Sequence, residues 1–143
     1  MFDKICIIGC GLIGSSILRG IEEKKIAQKI SVHDKSKQVT EYLKKNFTAD
    51  ICSNVSEATK DADLIIISAP LSSYKEILLS IKSTLKEGSI LTDTGSAKKE
   101  VNKIVNNLSL KNISWIASHP IAGTEYSGPA AGFSNLFKNR WCI

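Results

Sequence analysis

From Lys4 to Gly14 the chain reads KICIIGCGLIG, a short β-rich apolar run passing straight into three glycines. SSILRGIEE then follows, with Ile13, Ile17 and Ile21 at helical spacing. A strand that turns on glycine directly into a helix restricts the fold more than any other stretch of the chain, because few architectures need that junction.

The same order recurs downstream. KISVHD reads as a second strand and SKQVTEYLKKN as a second helix; ADIC is a short third strand, followed by SEATKDA. DLIIISAP is a continuous apolar run, the pattern of a strand buried on both faces of a parallel sheet. In the next helix Ser73 and Glu76 form a capping box, Tyr74, Ile77, Leu78, Ile81 and Leu85 share a face, and Gly88 is placed to end it. SILTDTG is another strand, and SAKKEVNKIVNNL is a helix presenting Val101, Ile104, Val105 and Leu108 on one side. ISWIASHP is a strand, and RWCI reads as the start of one more. This alternation predicts an α/β fold: a doubly wound, mainly parallel sheet forming one Rossmann-like dinucleotide-binding domain over residues 1–143.

Composition removes several alternatives. With 143 residues, 43% hydrophobic and 23% charged, the chain can bury one core and not two. Its longest apolar stretch, around LIIISAPL, is too short to cross a bilayer. The amino terminus, MFDKICIIG, carries an early acidic residue and no small-residue cleavage site, so it reads as a strand and not as a signal peptide. Cys6, Cys10, Cys52 and Cys142 make no CxxC pair and no zinc-like spacing with the two histidines. Free thiols in a reducing cytoplasm are therefore expected, and no metal site. The net charge of +5 is scattered over several helix faces without interleaved aromatics. That pattern argues against nucleic acid and suits an anionic ligand.

In doubly wound sheets ligands gather at the carboxyl ends of the strands. That rule places Asp34, Ala69-Pro70, Asp93 to Ser96 and Ser118 to Pro120 along one edge. Gly9 would permit the tight turn, Gly11 the approach of a pyrophosphate, and Gly14 the close packing of helix on strand. The helix amino terminus, at Leu12 and Ile13, would offer free N–H groups to the phosphates. Asp34, twenty residues beyond Gly14, is placed to accept from ribose hydroxyls and to repel a 2′-phosphate, which favours NAD over NADP. Lys35 and Lys37 stand close enough to reach a phosphate and keep NADP open, and a cap or turn before KSKQ is the plainer role for Asp34. The cofactor-binding set is then Gly9, Gly11, Leu12, Ile13, Gly14, Asp34, Ala69, Pro70 and Thr94. Ser96 is a helix N-cap, a ligand-facing hydroxyl, or both. His119, at a strand's end between Ser118 and Pro120, is the candidate for acid–base work. His33 reads as structural, and Cys10 receives no chemical role.

Together GCGLIGSS, VHD, DTGSAK and HPIAGTEYSGP resemble the prephenate/arogenate dehydrogenase family of tyrosine biosynthesis, and the last two motifs are the more specific. The resemblance implies oxidative decarboxylation of prephenate to 4-hydroxyphenylpyruvate, or of its amino analogue arogenate, with NAD(P)⁺. It places His119 on the ring hydroxyl as proton acceptor and Ser96 on the same hydroxyl or on His119, with IAGTEYSGP folding over the nicotinamide and the diene ring. Family members continue into a helical domain that dimerises and supplies an arginine for the substrate carboxylate. Residues 1–143 lack that domain, so the isolated chain is expected to be inactive, and Arg140 is not assigned the missing role. Two other classes stay open: a nucleotide-binding module without turnover, and a Rossmann oxidoreductase of the β-hydroxyacid or pyrroline-carboxylate type.

Overall fold

Successive side chains of a strand point to opposite faces, so the run Ile5-Cys6-Ile7-Ile8, all buried, must feed two layers at once. It does. In the computed structural model, which describes all residues Met1–Ile143, Ile5 and Ile7 of β1 (Phe2–Ile8) pack into one core while Cys6 and Ile8 pack into another. Strand β4 (Leu64–Ile67) divides the same way, Ile66 to the first core and Ile65 and Ile67 to the second.

Helices close both faces. Leu18 and Ile21 of α1 (Leu12–Lys24) and Leu43 of α2 (Lys37–Asn46) complete the first core. The second is covered by α3 (Val55–Thr59), α4 (Tyr74–Ile81) and α5 (Lys98–Leu108), which bury Ala58, Tyr74, Ile77, Leu78, Ile81, Val101 and Val105. The remaining strands are β2 (Ala27–His33), β3 (Asp50–Ile51), β5 (Ile90–Asp93) and β6 (Ser114–Ile116). The sheet order is β3-β2-β1-β4-β5-β6, and all five pairings are parallel. The expected doubly wound α/β architecture is therefore present.

Three local expectations are corrected. Ser73 does not cap α4 and forms no capping box with Glu76. Pro70 launches a 3₁₀ turn over Leu71–Ser73, so Ser73 is already helical (φ −93°, ψ −10°), whereas a capping hydroxyl needs extended backbone. Helix α4 also ends at Ile81, well before Gly88; the chain goes on as hydrogen-bonded turns in which Thr84 and Leu85 donate to the Ile81 carbonyl. Leu85 still packs on the core as its spacing required. Finally, RWCI is not a further strand of the sheet. It lies antiparallel to the chain leaving β6, through the Pro120–Cys142 bridge and the N–H of Ile121 donating to the Trp141 carbonyl.

Candidate active site

Parallel register brings the strand ends level. Ile8 pairs with both His33 and Ile67, and Ile67 pairs with Asp93, so β1, β2, β4 and β5 finish on one line. Between β1 and β4 the order of connection reverses, which is where open α/β sheets leave a crevice.

The glycine loop sits at that crevice. Gly9 has φ +87°, and a Cβ there would stand 2.7 Å from the Ala69 nitrogen and the Ser68 carbonyl oxygen, so only glycine fits. A Cβ on Gly14 would stand 2.1 Å from the Gly9 carbonyl oxygen, which is how close α1 comes to the loop. Gly11 differs: nothing lies within 4 Å of its Cβ position, and this open side is the room a pyrophosphate needs. Gly11 is the N-cap of α1 without any capping side chain, the first turn holds no acidic residue, and the N–H groups of Leu12 and Ile13 find no acceptor in the protein. Free N–H groups and the helix's partial positive charge fit an anion at this point.

Asp34 is tied to the loop. Its Oδ2 accepts from the Cys10 N–H and its Oδ1 from the Ser36 N–H, both at 2.8 Å. It is not the cap of α2, since Ser36 fills that position and accepts from the Val39 N–H. Each carboxylate oxygen keeps lone-pair capacity for a hydroxyl. A cleft of about 540 Å³ opens here, lined by Gly9, Gly11, Asp34, Ala69, Pro70 and Glu76 among others. A larger hollow of about 1080 Å³ lies at the opposite edge among Lys4, Glu22, Lys29, Asp50 and Lys60. Its lining is crowded with charges of both signs, whereas the smaller cleft is mainly apolar with a few polar groups at the strand ends, so the smaller cleft is the better ligand site.

Other residues of the edge divide clearly. Thr94 donates to the Ser68 hydroxyl at 3.1 Å, joining the ends of β5 and β4. Ser96 is not an N-cap: Ala97 holds that place, no side chain caps α5, and Ser96 contributes only its carbonyl oxygen, to the Lys98 N–H. Its exposed hydroxyl has no protein partner and is free to meet a ligand. His119 has its backbone held on both sides by Ile143, at 2.7 and 3.0 Å, while its ring makes no hydrogen bond within the protein. His33 instead places Nδ1 3.2 Å from the Cys52 carbonyl oxygen, a structural contact. Cys10 is buried, and that burial, with the Asp34 carboxylate nearby, pushes its thiol up to about 12, which rules out a thiolate nucleophile.

The segment after His119 returns to α1. Gly132 packs against Ser15, the Phe133 N–H donates to the Ser16 hydroxyl at 3.1 Å, and Arg19 donates to the Pro129 carbonyl at 3.3 Å. Its far end thus rests on the first turns of α1. Glu125 and Tyr126 are exposed in this segment.

Sequence reasoning missed one buried polar cluster. Asp93 is fully buried and meets the Lys98 ammonium through both oxygens, the Tyr74 hydroxyl at 3.1 Å and the Gly95 N–H at 3.0 Å. The available signal was an Asp and a Lys five residues apart in DTGSAK, astride a strand–helix turn, opposite a tyrosine on an apolar helix face.

The sequence pattern of the prephenate dehydrogenase nucleotide-binding domain matches residues 17–143. The chain belongs to that family. Among curated relatives, the cyclohexadienyl dehydrogenase of Zymomonas mobilis is 35% identical over 140 residues, which is 97% of this chain and 47% of the relative. The prephenate dehydrogenase of Lactococcus lactis is 37% identical over 142 residues, 98% of this chain and 40% of the relative. Among solved structures, Aquifex aeolicus prephenate dehydrogenase in complex with hydroxyphenyl propionate and NAD⁺ superposes with a TM-score of 0.85 at 25% identity, covering 100% of this chain and 50% of that one. The chain therefore spans about half the length of the proteins it matches.

Proposed function

We propose that residues 1–143 are the cofactor-binding and proton-accepting half of an NAD⁺-dependent prephenate or arogenate dehydrogenase. One observation carries the reading: a phosphate cradle with unpaired N–H groups and a histidine with an unpartnered ring stand on the same edge of one sheet. Leu12 and Ile13 would hold the pyrophosphate, Gly11 would give it room, and Asp34 would take the adenosine ribose hydroxyls. Asp34 and Glu76 line the same cleft and would repel a 2′-phosphate, against the one cation Lys35, so NAD⁺ is preferred to NADP⁺. Bound NAD⁺ supplies the hydride acceptor. Neutral His119 takes the proton of the substrate's ring hydroxyl as hydride leaves the hydroxyl-bearing carbon, and Ser96 hydrogen-bonds that hydroxyl. Loss of the ring carboxylate as CO₂ then makes the ring aromatic. A helical domain following this one would wall off the cleft, bind the substrate carboxylate and form the homodimer. No helix of the structure is long and apolar enough to cross a membrane, and we place the protein in the cytoplasm.

Titration of residues 1–143 with NAD⁺ and NADP⁺, alongside an assay for NADH production from prephenate, tests the reading. NAD⁺ should bind at least tenfold more tightly than NADP⁺, about 1.4 kcal/mol. Without the second wall the domain alone should turn over negligibly, since positioning accounts for roughly 7–11 kcal/mol of barrier lowering in a complete site. A preference for NADP⁺ would overturn the role given to Asp34, and brisk NADH formation by the domain alone would overturn the two-domain site.

A further inference from the structure

Where β6 ends, side chains replace the sheet's own hydrogen bonds. The β5–β6 ladder stops at the Thr92–Ile116 pair. Two residues later, Ser118 is held by bonds that each use a side chain: its N–H donates to Asp93 Oδ1 at 3.3 Å, its hydroxyl to the Asp93 carbonyl oxygen at 2.6 Å, and its carbonyl oxygen accepts from Lys98 Nζ at 2.6 Å. Lys98 Nζ also lies 2.5 Å from each carboxylate oxygen of Asp93. An ammonium has three N–H donors, and all three are used. The Asp93 side chain is 0% exposed and that of Lys98 only 26%. Tyr74 from α4 and the Gly95 N–H complete the carboxylate's partners, and burial beside Asp93 pushes the Tyr74 phenol well above its ordinary value, so it stays a donor.

We propose that Lys98 is a positioning residue: its ammonium, shared between both oxygens of Asp93 and the carbonyl oxygen of Ser118, sets where His119 stands and makes no contact with the substrate. The proposal rests on the reading of His119 as the proton acceptor. A buried carboxylate needs a cation beside it, and a buried carbonyl needs a donor. Lysine supplies both from one atom, and so locks the turn that carries Ser96 to the chain that carries His119. A lysine recruited instead to bind an anionic substrate would have to give up one of these bonds, and releasing the Ser118 carbonyl would leave that oxygen without a donor.

The test compares Lys98→Met, Lys98→Arg and the double variant Asp93→Asn/Lys98→Met in the full-length protein. With Lys98→Met, kcat should fall about 10²-fold, the usual consequence of misplacing a reacting group by about 1 Å. KM for the substrate and the Kd of NAD⁺ should stay within about threefold, because neither ligand touches Lys98. The double variant leaves no unpaired buried carboxylate and should regain about tenfold in kcat over the single one. A KM raised tenfold or more with kcat retained would make Lys98 a substrate ligand and overturn the proposal, as would unchanged kinetics. NMR of the His119 ring separates this from the broader reading. If wild-type protein does not oxidise prephenate, the functional reading fails. The positioning role is then decided by whether the His119 ring signals move in Lys98→Met, or in Lys98→Arg should the methionine variant not fold. Ring signals that coincide with wild type overturn it.

Discussion

Alanine at Gly11 and alanine at Gly14 should fail in opposite ways. At Gly14 the new methyl carbon would lie 2.1 Å from the Gly9 carbonyl oxygen and 3.1 Å from the Gly9 carbonyl carbon. A C···O approach is ordinarily no closer than about 3.3 Å, so α1 must move away from the loop by about 1 Å. Both partners are backbone, which cannot rotate aside, and the movement loosens Leu18 and Ile21, which α1 buries. Overpacking of this kind costs about 3 kcal/mol, and the better helix propensity of alanine returns about 1. The net loss of about 2 kcal/mol should lower Tm by roughly 8 °C in a domain of this size. At Gly11 the backbone has φ −69°, which alanine adopts, and nothing lies within 4 Å. The preference of an N-cap for glycine over alanine and the smaller entropy of the unfolded alanine chain oppose each other, so stability should change by no more than about 0.5 kcal/mol. NAD⁺ affinity should nonetheless fall at least tenfold, because the methyl fills the space left for the pyrophosphate, about 1.4 kcal/mol. Thermal unfolding followed by circular dichroism measures the first effect and calorimetric titration with NAD⁺ the second. A Gly11→Ala protein that binds NAD⁺ normally, or a Gly14→Ala protein with an unchanged Tm, would refute the reasoning.

Two further outcomes follow from the same geometry. His119→Asn in the full-length protein should keep the fold and NAD⁺ affinity but lose roughly 10²–10⁴-fold in turnover; near-normal kinetics would leave His119 a strand-end residue. Asp63 accepts from Lys86 and from the Lys4 and Asp3 N–H groups, which hold its carboxyl below the ordinary range. Its stabilising effect is therefore full above the unfolded value near about 4 and disappears as pH falls through the lower folded one. The pair is exposed and screened by solvent, so Asp63→Asn should lower Tm only slightly at pH 7 and not at all near pH 2. An equal drop in Tm at both pH values would refute it.

Much of this protein is legible in short windows of its sequence because the forces responsible are local. Strand and helix alternate in KICIIGCGLIGSSILRG because side-chain period and glycine conformation are properties of neighbours, and DLIIISAP announces a two-sided burial that β4 displays. Gly9 and Gly14 were assignable for the same reason, as was the level line of strand ends that parallel register demands. Tertiary structure alone decided the rest. Ser73 and Ser96 both look like N-caps, yet neither caps: the chain enters α4 through a 3₁₀ turn that leaves Ser73 already helical, and Ala97 takes the N-cap position of α5. The meeting of Asp93 and Lys98 with the Ser118 carbonyl depends on the pairing of β6 beside β5. The backbone of His119 is also bonded to Ile143, at the other end of a loop that folds back onto α1. Whether a charge is solvated or buried, and whether a hydroxyl is spent or free, depends on which distant segment removes the water around it, and no local pattern records that.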